Sequence, residues 1–338
     1  MANKRGVFAL AGTAAGLAVG IAAERSLIRR RRRNDPEAAR DFGHRRGIRR
    51  RTIELDDGAR IFIEEAGPVS KKAAVFVHGS ALRTDVWYYQ IEGIDSQRLV
   101  FYDLRGHGVS QPKGDRPFAI ETHAHDLHAV ITDSGVEEVV VVGHSIGGMI
   151  ALQYCLDHMD DLGSSIKGLV LLNTTYAPAV ETLTGGAAVA RFERFTRRPF
   201  DFIGTQSERL ELLRRVIKPS DAIFWVVSMS GFGPGASARQ VDFTYDMLSE
   251  TPADVIFDLI KSYRYFDVRD SLGDINVPAL VVGGSHDRLT VGHASEYIAA
   301  HLPKSELHML EGCGHMSMLE RHREVNGLIA AFLEDTLG

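Results

Sequence analysis

An α/β fold with a mostly parallel central sheet, helices on both faces and an inserted helical cap is predicted by three features of this 338-residue chain. Short apolar runs that end in glycine or a polar turn alternate with stretches of helical periodicity, the pattern left by a parallel sheet and its crossover helices. Within the runs the apolar residues are consecutive, as in strands covered on both faces. Late in the chain about a hundred residues separate two such runs, far more than the roughly 2 to 6 of an ordinary connection. They must hold structure of their own.

The leader comes first. Gly6 to Ala23 carries no charge, and a run of that length is close to the roughly 20 residues that cross a bilayer. Lys4 and Arg5 precede it, while Arg25 and Arg29 to Arg33 follow. Residues 1–33 are therefore expected to be a membrane anchor, spanning through residues 6–23, with its basic run. The positive-inside rule puts the folded body on the cytoplasmic side. A cytoplasmic arm and a signal cleaved on export are the alternatives; arginines so close behind the apolar run oppose export. Residues 34–51, charged and containing Pro36, read as a linker.

Thr52 to Leu55 and Ala59 to Glu65, joined by Asp56-Asp57-Gly58, form a hairpin signal. AAVFVHG (Ala73–Gly79) and LVFYDLRGHGVS (Leu99–Ser110) each begin as a buried strand and close in a glycine-containing turn. Glu121 to Asp133 has Ala124, Leu127, Val130 and Ile131 at helical spacing. The valines from Val139 follow as a strand. KGLVLLNTT (Lys167–Thr175), VPALVVGGSHD (Val277–Asp287) and SELHMLEGCGH (Ser305–His315) continue the series. Between the first two of these, Ala187–Phe195, Ser207–Val216, Asp221–Met229, Val241–Leu248 and Pro252–Tyr263 have helix-like apolar spacing. The expected division is a core of residues 52–175 and 270–338 and a helical cap of residues 176–269.

Charge narrows the possible partners. The net charge of −5 conceals 14 Lys and Arg against 4 Asp and Glu up to Arg51, and 25 against 40 beyond it. An acidic body excludes nucleic acid as the main partner, because phosphate binding needs a basic face on the folded domain. Cys155 and Cys313 lie too far apart for a CxxC motif and read as small buried hydrophobes.

Chemistry gathers where the strands end, as it does in open parallel sheets. Gly143-His144-Ser145-Ile146-Gly147 sits between the valine strand and a helix-like stretch, the setting of a nucleophile elbow. The sharp turn lifts Ser145 off the sheet, and flanking glycines leave it room. A phosphate-binding turn would need G-x-G-x-x-G or a lysine after the glycines, and neither is present.

With His78-Gly79, Asp103-Leu104-Arg105-Gly106-His107-Gly108-Val109-Ser110, Gly143 to Gly148, Asp287 and Gly314-His315, the chain resembles the α/β-hydrolase superfamily over Thr52 to Leu337. That resemblance implies the chain order Ser, acid, His, which selects Asp287 and His315 beside Ser145. Among the histidines near strand ends, His144 neighbours the serine but points the wrong way, and His286 adjoins the acid. His78 and His107 occupy turns that the family uses structurally, as does Arg105. An alternative acid position after the sixth strand is filled by Asn173. The family's oxyanion hole maps onto the backbone N–H groups of Ser80 and Ile146.

No metal and no cofactor are required by this set. His123, His125 and His128 lie at offsets that scatter them around a helix, which disfavours a metal cluster. Cap aromatics and methionines such as Phe224, Trp225, Met229, Phe243 and Met247 form the cap's core, with some left to line a cleft. The expectation is a serine hydrolase, esterase or lipase-like, that cleaves a small hydrophobic ester through an acyl-enzyme. The alternatives are a carbon–carbon bond hydrolase, a haloperoxidase-like member, or a non-enzymatic small-ligand receptor on the same fold.

Overall fold

Eight strands form one sheet in the order β1-β2-β4-β3-β5-β6-β7-β8 in the computed structural model, which describes residues 25–42, 48–184 and 221–338. The hairpin of β1 (Arg49–Glu54) and β2 (Arg60–Ala66) is antiparallel, and β2 meets β4 (Leu99–Tyr102) antiparallel as well. The remaining neighbours are parallel: β4 with β3 (Lys72–Val77), then β5 (Glu138–His144), β6 (Ile166–Leu172), β7 (Ala279–Gly284) and β8 (Ser305–Leu310). The expected fold class stands.

Successive side chains of a strand point to opposite faces, and here each face has its own cover. Val75, Val77, Val139 and Val141 pack with α2 (Ile120–Asp133), α3 (Ile146–Asp157) and α7 (Gly292–His301). Ala74, Phe76, Val140 and Val142 pack on the other side with α1 (Tyr88–Gly93) and α8 (His322–Leu337). This double burial explains the unbroken valine run. Each fully buried valine is worth roughly 1.5–3 kcal/mol, so a polar residue anywhere along β5 would be costly.

In the cap, α4 (Asp221–Gly231), α5 (Ala238–Glu250) and α6 (Ala253–Tyr263) form where helical spacing predicts them. The glycine-rich stretch from Gly231 to Gly235 ends α4. Ser237 starts α5, its hydroxyl accepting the Gln240 N–H at 3.2 Å, an N-cap that satisfies one orphan donor. The two other expected helices, Ala187–Phe195 and Ser207–Val216, lie outside the described residues.

The leader departs from expectation in one respect. Within the expected linker, residues 34–42 and 48–51 pack against the body. Arg49 to Arg51 belong to β1, where Arg50 pairs with Glu64 at 2.7 Å and Arg51 with Asp133 at 2.8 Å. Phe42 is 1% exposed and stacks on Phe243 of the cap at 4.3 Å. Asp35 accepts from the Ser237 hydroxyl at 2.9 Å and the Arg239 N–H at 2.8 Å. Specific partners hold these charges. Residues 25–33 are helical. The expected span, residues 6–23, lies outside the described residues, and among the described ones no helix is long and apolar enough to cross a membrane.

Candidate active site

Ser145 stands between β5 and α3 at φ +55° and ψ −122°, a conformation that L-residues rarely adopt and that costs of order 1–3 kcal/mol. The surroundings enforce it. The Ser145 N–H donates to the Leu172 carbonyl at 3.1 Å, and its own carbonyl accepts from the Thr174 hydroxyl at 2.6 Å. A Cβ on Gly147 would stand 2.1 Å from the Val77 carbonyl oxygen, and one on Gly143 would stand 2.3 Å from that of Gly147. Only glycine fits at either place.

Asp287 follows β7 and His315 follows β8, and the two meet behind the serine. His315 Nδ1 lies 2.9 Å from Asp287 Oδ2. Facing a carboxylate, Nδ1 carries the proton, which leaves the lone pair on Nε2. Asp287 Oδ1 accepts the N–H groups of Leu289 at 2.8 Å and Thr290 at 2.9 Å. Its Oδ2 also accepts from the Thr290 hydroxyl at 2.8 Å and from Asn173 Nδ2 at 2.9 Å. Burial pushes the carboxyl pKa up, but the adjacent His315 imidazole and these donors more than offset it. Its pKa therefore lies below the usual carboxylate range, and the group is ionised at neutral pH.

Ser145, His315, Ser80 and Ile146 line one cavity of about 220 Å³. Ile146 is the first residue of α3, so its N–H has no acceptor within the helix. Among the described residues the N–H of Ser80, the Ser145 hydroxyl and His315 Nε2 likewise have no hydrogen-bond partner. Such contacts often tighten only when substrate binds. Leu82, Met149, Val227, Leu248 and Leu289 supply apolar walls, and no Lys, Arg, Asp or Glu occurs among the described lining residues. The structure thus brings together all five residues singled out in the sequence, with Asp287 directly behind His315.

The other histidines are tied down. His78 Nε2 accepts the Leu104 N–H at 2.9 Å, and His107 Nε2 accepts that of Ala81 at 3.2 Å. His144 Nε2 donates to the His315 carbonyl at 3.0 Å; burial and then the nearby charge of His315 pull its pKa down to about 3. It braces the loop that carries His315 as a neutral ring. Around α2, His123 packs edge-on against Phe118, His125 faces Arg116 and His128 stacks on His158. Arg105 is fully buried and grips Asp126 at 2.6 Å and Asp57 at 2.8 Å.

Three supporting residues escaped the sequence. Asn173, at φ +46°, donates to Asp287 and to the Gly314 carbonyl at 3.1 Å. Thr290 binds Asp287 through both its hydroxyl and its N–H. Glu320 accepts the N–H groups of Gly314 at 2.9 Å and Gly233 at 2.7 Å, joining the His315 loop to the glycine-rich stretch after α4. Asn173 alone carried a signal, since it fills an alternative acid position.

An α/β-hydrolase-fold family matches residues 73–322. Among relatives, the chain is 26% identical over 291 residues to the AB hydrolase superfamily protein YisY of Bacillus subtilis, covering 83% of this chain and 97% of that one. It is 26% identical over 269 residues to the non-heme chloroperoxidase CPO-A1 of Kitasatospora aureofaciens, covering 77% and 90%. A 2-hydroxy-6-oxononadienedioate/2-hydroxy-6-oxononatrienedioate hydrolase of Paraburkholderia xenovorans is 23% identical, covering 84% and 93%. Of solved structures, Est816, described as an N-acyl homoserine lactone degrading enzyme, aligns with TM-score 0.63 and 25% identity over 83% of this chain and 100% of its own. A membrane phospholipase A aligns with TM-score 0.65 and 21% identity over 99% and 100%.

Proposed function

This chain belongs to the α/β-hydrolase family, and from that premise we propose that it is a serine hydrolase of small, uncharged carboxylic esters with an apolar acyl group. One observation carries the reading: a serine on a strained elbow and a buried His315–Asp287 pair open into the same apolar cavity as two backbone donors without an acceptor among the described residues. In this mechanism His315 Nε2 takes the Ser145 proton as Oγ attacks the ester carbonyl. The oxyanion is received by the N–H groups of Ile146 and Ser80. His315 then returns the proton to the leaving alcohol. A water molecule, deprotonated by the same imidazole, attacks the acyl-enzyme and restores Ser145. Asp287 holds the Nδ1–H tautomer and steadies the imidazolium without taking its proton.

The relatives named for haloperoxidase and carbon–carbon bond hydrolysis supply a second reading. Against the latter speaks the cavity's chemistry, because a dicarboxylate substrate calls for cationic partners and none occurs among the described lining residues. Residues 6–23 we assign to a membrane span, with the body on the cytoplasmic side. The absence of charge there and the arginines behind it support this.

Turnover of a short-chain p-nitrophenyl ester is the test. Ser145→Ala, Asp287→Asn and His315→Ala are each expected to lower it by orders of magnitude, with losses that do not add, because the three act as a unit. Wild-type turnover in Ser145→Ala would refute the proposal.

A further inference from the structure

The five consecutive arginines after the apolar run do not share one role. Residues 25–33 are helical, and Ile28, Arg31 and Arg32 face the body, as their spacing of three and four requires. Ile28 is fully buried. Arg31 donates to the Ser228 hydroxyl at 3.0 Å and the Ala236 carbonyl at 2.8 Å, and Arg32 holds Asp242 at 2.7 Å. Both guanidiniums lie over the Phe224 ring, 5.6 and 5.0 Å from its centroid.

Arg29, Arg30 and Arg33 project from the opposite side and are exposed. None has an acidic partner among the described residues, although Arg29 and Arg33 are four apart, a spacing at which like charges repel. Elsewhere Arg50, Arg51, Arg83, Arg116, Arg269 and Arg321 each hold a carboxylate. In a body with an acidic excess, three adjacent cations without one among the described residues point to an anion from outside.

Apolar groups accompany them. Leu27 is 59% exposed and shares a groove with Trp225 of α4. On the same helix Val226 and Met229 are 64% and 56% exposed. A helix apolar all round is normally buried, yet α4 keeps this side in solvent while Val227 lines the catalytic cavity.

We propose that Arg29, Arg30 and Arg33, with Leu27 and the exposed side of α4, form a docking surface for an anionic phospholipid bilayer. Arginines meet the lipid phosphates, and the apolar side chains enter the boundary of the acyl region. A nucleic-acid backbone would satisfy the arginines but leave Leu27, Val226 and Met229 without a role. The proposal draws on the membrane reading of residues 6–23, which would bring this helix to headgroup depth.

The test is co-sedimentation of the full-length protein with phosphatidylcholine vesicles, with and without a large fraction of phosphatidylglycerol. Each arginine at an anionic surface is worth about a fivefold gain, so wild type should bind the anionic vesicles about 100-fold more tightly. High salt should erase that difference. The variant carrying Arg29→Gln, Arg30→Gln and Arg33→Gln should lose it while keeping short-ester turnover and its binding to pure phosphatidylcholine. Equal binding of wild type to both vesicles, or full lipid preference in the variant, would overturn the proposal. So would equally tight binding to heparin that the variant loses. Lipid preference without any binding to phosphatidylcholine would instead sink the anchor and leave the docking surface standing.

Discussion

Asn173 follows β6 and points its amide at the Asp287 carboxylate, where a carboxylate of its own would bring a second negative charge. Its Nδ2 joins Thr290 and the backbone in holding Asp287 in a single orientation, and so holds His315. Asn173→Asp exchanges a donor for a second negative charge. Like charges raise the pH at which such a pair gives up its proton. The acid limb of kcat/KM for a neutral ester is therefore expected to move to higher pH by about 1 unit, whereas Asn173→Ala lowers turnover with the limb closer to its original place. Identical limbs in wild type and Asn173→Asp would remove Asn173 from the positioning network. The placing of Ser145, Asp287 and His315 at strand ends was legible in the sequence because each follows an apolar run within a glycine-bearing motif. Thr290 and Glu320 were not, since their partners are fixed by how loops from separate strands come together.

At the level of elements, the sheet was the most readable part and the leader the least. Consecutive valines, leucines and alanines can be buried only between two layers, so β3 to β7 could be placed from the order of the apolar runs. What ties residues 28–42 to the cap lies some two hundred positions along the chain: Arg31 to Ser228, Arg32 to Asp242 and Asp35 to Arg239. No local pattern announces such pairs. The leader grips α4 and α5, and both helices also line the cavity at Ser145 through Val227 and Leu248. Phe42→Ala is expected to lower the stability of the full chain by about 3 kcal/mol, the cost of emptying a buried aromatic site. Arg32→Gln should cost under about 1 kcal/mol, because its ion pair with Asp242 is half-exposed. Chemical unfolding checks both, and a Phe42→Ala protein as stable as wild type would return the segment to the status of a linker.

As a whole, the molecule separates a basic leader from an acidic body, and the leader's described part divides again into a side that clamps the cap and a side that meets solvent. Fold and site geometry rest on residues whose roles are local to the sheet edge, whereas the proposed membrane attachment rests on residues 6–23 and on a helix whose two sides the sequence alone did not separate. The proposed reaction turns on the nucleophilicity of Ser145. Intact-protein mass spectrometry after exposure to a fluorophosphonate tests it most directly. Wild type should gain a single phosphonyl adduct that peptide mapping places on Ser145, and Ser145→Ala should gain none at the same exposure. An unmodified wild-type protein, or an adduct that persists in Ser145→Ala, would contradict the account.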